Sequence, residues 1–104
     1  MSIYVYVTRK QDPFDTEGPA ITEDEWHSLI DSDPDLTRAE PDDGYPGIHA
    51  VWRSYPRGYT AWFVLSDGNI EVKGIDSALL GKLRRFAAEL TDARIVSEEG
   101  EEFS

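Results

Sequence analysis

The sequence predicts an α+β domain of two layers, in which two helices pack on one antiparallel or mixed sheet of four to five strands. Three observations lead to this prediction: a β-branched and aromatic opening segment, two segments with helix capping or helix periodicity, and three short strand-like segments joined by tight turns. The predicted order is β-α-β-β-β-α-β. With 104 residues, 39% of them apolar, the chain fits one domain with one modest core, spanning residues 1–104.

The first strand and the first helix have the clearest local signals. Residues 2–8, SIYVYVT, are β-branched and aromatic and alternate between two faces, as expected for a strand. Thr22 followed three residues later by Glu25 forms a capping box, and Ile21 with Trp26 provides the flanking hydrophobic staple. These signals predict a helix from about Glu23 to Asp31 with one buried face: Trp26, Leu29 and Ile30.

The rest of the chain alternates turns with short strands before a second helix. Residues 32–47 contain three prolines and two glycines and are predicted to be loop, with a short extended piece near Leu36 to Ala39. Asp67-Gly68 is a strong hairpin signal. The remaining predictions are strands at 48–55, 60–66 and 69–74, a helix capped by Asp76 or Ser77 and ending near Thr91, and a strand at 93–97. The acidic tail, residues 98–104, is a candidate for disorder.

Negative charge is concentrated in one third of the chain. The formal net charge is −11, and the segment from Asp12 to Asp43 alone holds twelve acids against one base, Arg38, which also gives −11. Such a segment repels nucleic acid and anionic lipid and attracts basic surfaces. A solvated loop that only maintains solubility is the competing interpretation.

Several chemistries lack the residues they need. The chain has no cysteine, and its eight glycines never fall in a phosphate-binding spacing. Its opening apolar run precedes its basic residues, the reverse of a secretory signal, and no run is long enough for a membrane span. We therefore expect a soluble cytoplasmic protein with no cofactor and no metal, and with neither nucleic acid nor membrane as a direct partner.

The segment DSDPDL places Asp31, Asp33 and Asp35 at alternate positions directly after the predicted helix. An EF-hand loop would need glycine where Leu36 stands, and Pro34 stiffens the chain, so the spacing does not indicate a calcium site. Pro34 instead ends the helix by Ser32. Acids are unfavourable at this negative end of the helix dipole, where bases are preferred. Three acids at such a position indicate a functional surface.

Catalytic residues are not indicated by any motif. His27 and His49 are the only histidines, and no metal-binding or nucleophile motif accompanies them. A small enzyme using His27 or His49 with a carboxylate remains an alternative function. A DNA mimic, in which carboxylates spaced like phosphates occupy a nucleic-acid-binding protein, is another.

Aromatic residues cluster in the segment from Tyr45 to Phe63 and supply the side-chain types that dominate protein interfaces. Trp62 and Phe63 are adjacent in a predicted strand, so they should point to opposite faces. The tyrosines that lie in turns rich in proline and glycine are expected to be partly exposed. Together with the acids they make up the predicted partner-binding set: Asp31, Asp33, Asp35, Glu40, Asp42, Asp43, Tyr45, Tyr55 and Tyr59.

The segments IYVYVTR, ITEDEWHSLIDSDPDL and AWFVLSDGNIEVKGID, with ARIVSEEGEEF at the end, resemble a group of small uncharacterised bacterial proteins of about this length. Members of this group are similar to immunity proteins of polymorphic toxin systems, which are small, often acidic and non-enzymatic. This resemblance implies a protein that neutralises a cognate toxin by occluding its active site. We therefore expect a non-enzymatic acidic protein that inhibits or sequesters a basic protein partner.

Overall fold

The computed structural model describes residues 3–39, 47–56 and 60–103. The described part of the chain contains two helices and seven strands. In chain order the elements are β1 (Tyr4–Thr8), α1 (Glu23–Asp31), β2 (Leu36–Arg38), β3 (Ile48–Trp52), β4 (Ala61–Ser66), β5 (Asn69–Lys73), α2 (Ser77–Glu89), β6 (Arg94–Ser97) and β7 (Glu102–Phe103).

The strands form one antiparallel sheet in the order β2-β3-β4-β5-β1-β6-β7. Strands β2 to β5 follow one another as a meander, and α2 carries the chain from β5 across β1 to β6. The first strand is an interior strand that pairs with β5 on one edge and β6 on the other, and it is buried on both faces: Val5 and Val7 on one side, Tyr6 and Thr8 on the other.

The predicted α+β class, the two helices and the antiparallel sheet are confirmed, but the predicted number of four to five strands is wrong. The two additional strands, β2 and β7, contain three and two residues and lie at the edges of the sheet. β2 lies where a short extended piece was predicted, near Leu36 to Ala39, and both short segments become strands through pairing with β3 and β6. In the tail considered a candidate for disorder, Glu102 and Phe103 are thus paired with β6.

One face of the sheet packs against both helices and forms the core. Trp26 of α1 is fully buried, and its indole Nε1 donates to the backbone oxygen of Ile48 at 2.9 Å. Its ring meets the ring of Phe86 from α2 edge to face, with centroids 5.4 Å apart, and Phe86 meets Phe63 of β4 in the same way at 5.6 Å. These contacts join both helices and the middle of the sheet into one core.

The opposite face, called here the outer face, carries no helix. The segment from Arg9 to Ala20 crosses part of it, with the ring of Phe14 against Tyr6 and the backbone oxygen of Pro13 bonded to Asn69. Residues on this face come from alternate positions of the strands, as the register of Val64, Glu71 and Tyr6 shows. Neither described helix has the length and apolar character needed to cross a membrane.

Candidate functional site

The acids after α1 are neutralised by cations within the described part of the chain. The ammonium of Lys82 on α2 lies 2.8 Å from Asp33 Oδ2 and 3.0 Å from Asp35 Oδ2. Asp33 and Lys82 are both buried, with side-chain exposures of 1% and 7%, whereas Asp35 is half exposed. Asp31 makes a separate, exposed ion pair with Arg38 at 2.6 Å. The negative charges at the end of α1 are therefore balanced by Arg38 of β2 and Lys82 of α2, which the sequence did not reveal.

Asp33 also organises the turn that ends α1. Its Oδ1 accepts the backbone N–H of Asp35 at 3.0 Å, and its backbone oxygen accepts the N–H of Leu36 at 3.1 Å. The Lys82 ammonium lies over the ring of Trp52, 4.6 Å from the centroid. The Asp33–Lys82 ion pair therefore connects the end of α1 to the middle of α2, and Lys82 contacts the sheet at Trp52.

The balance of forces on Asp33 favours its charged form. Burial alone would raise the pKa of its carboxyl, but the hydrogen bonds from Lys82 and from the backbone of Asp35, and the positive charges of Lys82 and Arg85, outweigh it, so the pKa lies below its usual 3.8. A buried, charged and fully bonded carboxylate holds the fold together, and it is poorly placed to bind a partner.

The other predicted partner-binding residues divide between buried and undescribed positions. Tyr55 is buried, with its hydroxyl donating to Asp76 Oδ2, so the expectation of partial exposure is wrong for this residue. Its ring packs beside Trp52, with centroids 5.2 Å apart, because the turn after β3 folds back toward the core. The remaining members lie outside the described residues and stay predictions: Glu40, Asp42, Asp43, Tyr45 and Tyr59.

A second group of acids has no ion pair among the described residues. We call them the loop acids: they lie in the segment before α1 and in the first turn of α1. All are exposed, and two of them, Asp12 and Asp15, use a carboxylate oxygen only to accept a backbone N–H, from Phe14 and from Glu17. The members are Asp12, Asp15, Glu17, Glu23 and Asp24.

Two large apolar side chains are exposed in the described structure. Phe14, 59% exposed, lies in the same segment as Asp12, Asp15 and Glu17, and Trp62, 54% exposed, lies on the outer face. Trp62 and its neighbour Phe63 point to opposite faces, as predicted, and Phe63 is fully buried. Phe14 is therefore an exposed aromatic side chain in an acidic segment of the chain, and its exposure was not identified from the sequence pattern.

A cleft of about 430 Å³ lies between the segment 10–20 and the outer face, and we call it the loop cleft. Its walls come from Phe14 and Asp15 on the loop side and from Tyr6, Asp67 and Glu71 on the sheet side. Its volume is within the range of about 300 to 1,000 Å³ that is typical of small-ligand sites. The loop cleft is a concave candidate site built from described residues.

The loop wall of this cleft is held at several points. Lys10 Nζ donates to the backbone oxygens of Asp15, at 2.7 Å, and Asp67, at 2.5 Å. Asn69 Nδ2 donates to the oxygen of Pro13 at 2.6 Å while its Oδ1 accepts from Thr8 Oγ1, also at 2.6 Å. Since Lys10 and Asn69 are both buried, the cleft is largely formed before any ligand arrives.

Two titratable groups of the cleft are shifted toward their neutral forms. Burial, with the charges of Asp67 and Glu98, raises the pKa of the Glu71 carboxyl. Burial, with the charges of Glu71 and Glu98 and the neighbouring Tyr4, raises the pKa of the Tyr6 hydroxyl to about 12. Of these acids, Asp67 and Glu71 line the cleft, where a cation would stabilise their charged forms.

Neither histidine lines the loop cleft. His27 is half-buried on α1, and His49 is buried on β3 with its ring 6.2 Å from that of Trp62. Within the described ranges, no three side chains of histidine, aspartate or glutamate gather as metal ligands. The alternative of an enzyme based on His27 or His49 therefore gains no support from the cleft.

The chain matches no family model, and no similar curated protein or solved structure was found.

Proposed function

We propose that this protein is a non-enzymatic acidic binding protein that inhibits or sequesters a basic protein partner. The observation that carries the proposal is the group of loop acids, which form no ion pair within the described structure; three of them, Asp12, Asp15 and Glu17, lie in the same segment as the exposed Phe14. Protein interfaces use exposed aromatic side chains of this kind as anchors.

The two components would act at different stages of binding. Uncompensated carboxylates attract a basic surface over a distance of about a Debye length and increase the association rate. Phe14 would then lose its water on contact and slow dissociation. Asp31 and Asp35 belong to the predicted binding set and are exposed, but each already pairs with a cation, so we give them a smaller share of the attraction.

A cognate toxin domain is the kind of partner that the resemblance to immunity proteins implies. A basic nuclease would suit the charge, since enzymes that act on nucleic acid present cations around their active sites. A DNA mimic shares the acidic surface and differs in its partner, which would then be a nucleic-acid-binding protein that releases the chain when DNA is added. Five members of the predicted binding set lie outside the described residues and would extend this surface: Glu40, Asp42, Asp43, Tyr45 and Tyr59.

Capture from a lysate of the source cell, compared between two charge-matched variants, tests the proposal. The loop variant carries Glu17→Gln, Glu23→Gln and Asp24→Asn, which leave the cleft and its lining intact. The control variant removes the same number of charges from exposed positions elsewhere, with Glu89→Gln, Glu99→Gln and Glu101→Gln.

The wild-type chain and the control variant should retain the same basic protein at low salt, and the loop variant should retain at least about tenfold less. Equal retention by both variants would mean that any attraction is due to net charge alone. That result, or the absence of a retained basic protein, would overturn the proposal.

A further inference from the structure

We propose that the loop cleft is a binding site for an organic cation, an ammonium or guanidinium group, with the carboxylate of Glu71 as its partner. This inference does not depend on the proposed function, because a free amine would satisfy the site as well as a lysine or arginine side chain of a protein. It rests on the charge, the aromatic lining and the fixed walls of the cleft.

The charges of the lining favour a cation over an anion. The cleft is lined by three carboxylates, Asp15, Asp67 and Glu71, and one ammonium, Lys10, so the formal sum is −2. The Lys10 ammonium is already bonded to two backbone oxygens and is buried with the rest of its residue. It therefore serves as part of the wall and leaves the carboxylates without a cation of their own.

Glu71 is the group with the most to gain from such a ligand. It is half-buried at the middle of the sheet, between Val64 of β4 and Tyr6 of β1 in the register. Its carboxylate has neither a hydrogen bond nor an ion pair among the described residues, and the charged groups that act on it most are acids, Asp67 and Glu98. A half-buried anion with like-charged neighbours is unfavourable until a cation joins it.

Aromatic rings supply the second element of recognition. Tyr6 and Phe14 both line the cleft and meet edge to face, with ring centroids 5.5 Å apart and planes at 79°. The ring faces of such residues attract ammonium and guanidinium groups, and the attraction is stronger where water is excluded. A carboxylate beside aromatic rings is a combination that distinguishes organic cations from metal ions, which prefer several oxygen ligands.

The walls are fixed well enough to act as a site. The loop wall is fastened to the sheet by Lys10 and Asn69, and the backbone N–H of Ile21 donates to the oxygen of Gly68 at 2.9 Å. A ligand therefore meets a formed cleft and does not have to order it, which preserves affinity.

A nuclear magnetic resonance titration with three probes tests the inference and separates the sources of the cation. Agmatine represents a free small amine, and the peptide acetyl-Gly-Arg-Gly-amide represents a protein side chain. The third probe is the same peptide with citrulline in place of arginine, which keeps the shape and removes the charge. Each is titrated into the wild-type chain, into Glu71→Gln and into the matched control Glu89→Gln, which neutralises an exposed acid of α2 outside the cleft.

We expect at least one of the charged probes to shift the signals of Tyr6, Phe14 and Glu71 in wild type and in Glu89→Gln. The citrulline peptide should not do so, and Glu71→Gln should bind at least about tenfold more weakly. Binding of agmatine alone would identify a small amine, and binding of the arginine peptide would identify a side chain. Unshifted signals with both charged probes, equal shifts with citrulline, or undiminished binding by a folded Glu71→Gln would overturn the inference.

To separate loss of the site from a change in the sheet, Tyr6→Leu provides a second variant that keeps every charge. It removes one ring from the lining and should weaken binding of the charged probe by a few-fold. If it binds as tightly as wild type, the aromatic part of the proposed site is wrong. The failure of this titration would leave the capture experiment unaffected, and the failure of capture would leave the cleft to be judged by its own probes.

Discussion

Lys82 is the residue on which the end of the first helix depends. Two carboxylates and the ring of Trp52 surround its ammonium, and the nearer carboxylate, that of Asp33, is almost completely buried. Separating two charges that have been removed from water is costly, because the remaining ion has neither water nor partner. Replacing Lys82 alone should therefore cost more than replacing Lys82 and Asp33 together.

Lys82→Met should lower the free energy of unfolding by about 3 to 5 kcal/mol, because it leaves the carboxylate of Asp33 buried and unpaired. Adding Asp33→Asn to that variant should recover part of the loss, since the unpaired charge disappears. Urea denaturation of the single and double variants measures both effects. Asp35→Asn, at the half-exposed partner, is the control and should cost less than about 1 kcal/mol. A Lys82→Met loss no larger than the control's would contradict the structural role of the pair.

Glu25 links stability to pH through Arg9. The guanidinium hydrogen bond from Arg9, with the backbone hydrogen bond of the capping box at Thr22, lowers the pKa of Glu25 to about 2 from 4.5. A carboxyl with a lowered folded-state pKa stabilises the protein above its unfolded pKa, and that stability is lost as the pH falls from about 4.5 toward 2.

Glu25→Gln should therefore lower stability at neutral pH by about 1 kcal/mol after allowance for solvent screening, since the pair is partly exposed. Glutamine can still close the capping box, so the change isolates the ion pair. Thermal unfolding across the acid range should show a flatter decline for this variant than for wild type. Parallel curves for the two proteins would show that Glu25 contributes no acid-labile stability.

Two pairs of residues, one local and one distant in the chain, show how far contacts can be predicted from the sequence. The capping box of Thr22 and Glu25 is visible in the sequence because its partners are three residues apart, and the structure has both of its bonds. Lys82 lies 49 residues beyond Asp33, and no local rule connects them. Acids with no base nearby in the sequence can therefore pair with a base that the fold brings to them.

At the scale of elements, the hairpin between β4 and β5 anchors the loop that forms the cleft. Gly68, in the turn, has φ of +79°, and a Cβ there would lie 2.7 Å from the Cβ of Ala20. The segment 10–20 approaches so closely that only glycine fits without displacing it. The sequence pattern Asp67-Gly68 predicted the turn, but the close approach of the loop was not predictable from it.

Gly68→Ala should destabilise the protein by about 1 to 3 kcal/mol through backbone strain and the contact with Ala20. It should also weaken the binding of a cation in the cleft, since the loop must move. Gly81→Ala is the matched control: Gly81 lies within α2 with open space around its Cα, so the change should stabilise by roughly 0.5 to 1 kcal/mol. Chemical denaturation of both variants should give shifts of opposite sign. A neutral or stabilising Gly68→Ala would show that the loop does not pack as described.

The elements that sequence analysis located best are those with a strong internal pattern. Helix α1 begins and ends where predicted, and β4 and β5 flank the predicted hairpin. The edge strands β2 and β7 have too few residues for a pattern and form through pairing with their neighbours. Strand order was not predictable either, because the central position of β1 depends on contacts with the far end of the chain.

On the folded molecule, the acids without ion pairs are not the ones that the sequence indicated. The sequence placed a possible binding surface at DSDPDL, where the structure has ion pairs to Lys82 and Arg38. The loop acids, nearer the beginning of the same acidic segment, have no such partners among the described residues. The proposed attraction toward a basic protein is therefore assigned mainly to the loop acids and Phe14.

The association rate of the basic protein recovered in the capture experiment, measured by stopped-flow fluorescence, shows whether the loop acids attract it. The measurement compares the loop variant with Asp31→Asn/Asp35→Asn over a range of salt concentrations. We predict that the loop variant associates about tenfold more slowly at low salt and depends less on salt, while the second variant stays within about threefold of wild type. A slower rate for Asp31→Asn/Asp35→Asn with an unchanged rate for the loop variant would contradict the account and return the binding surface to the end of α1.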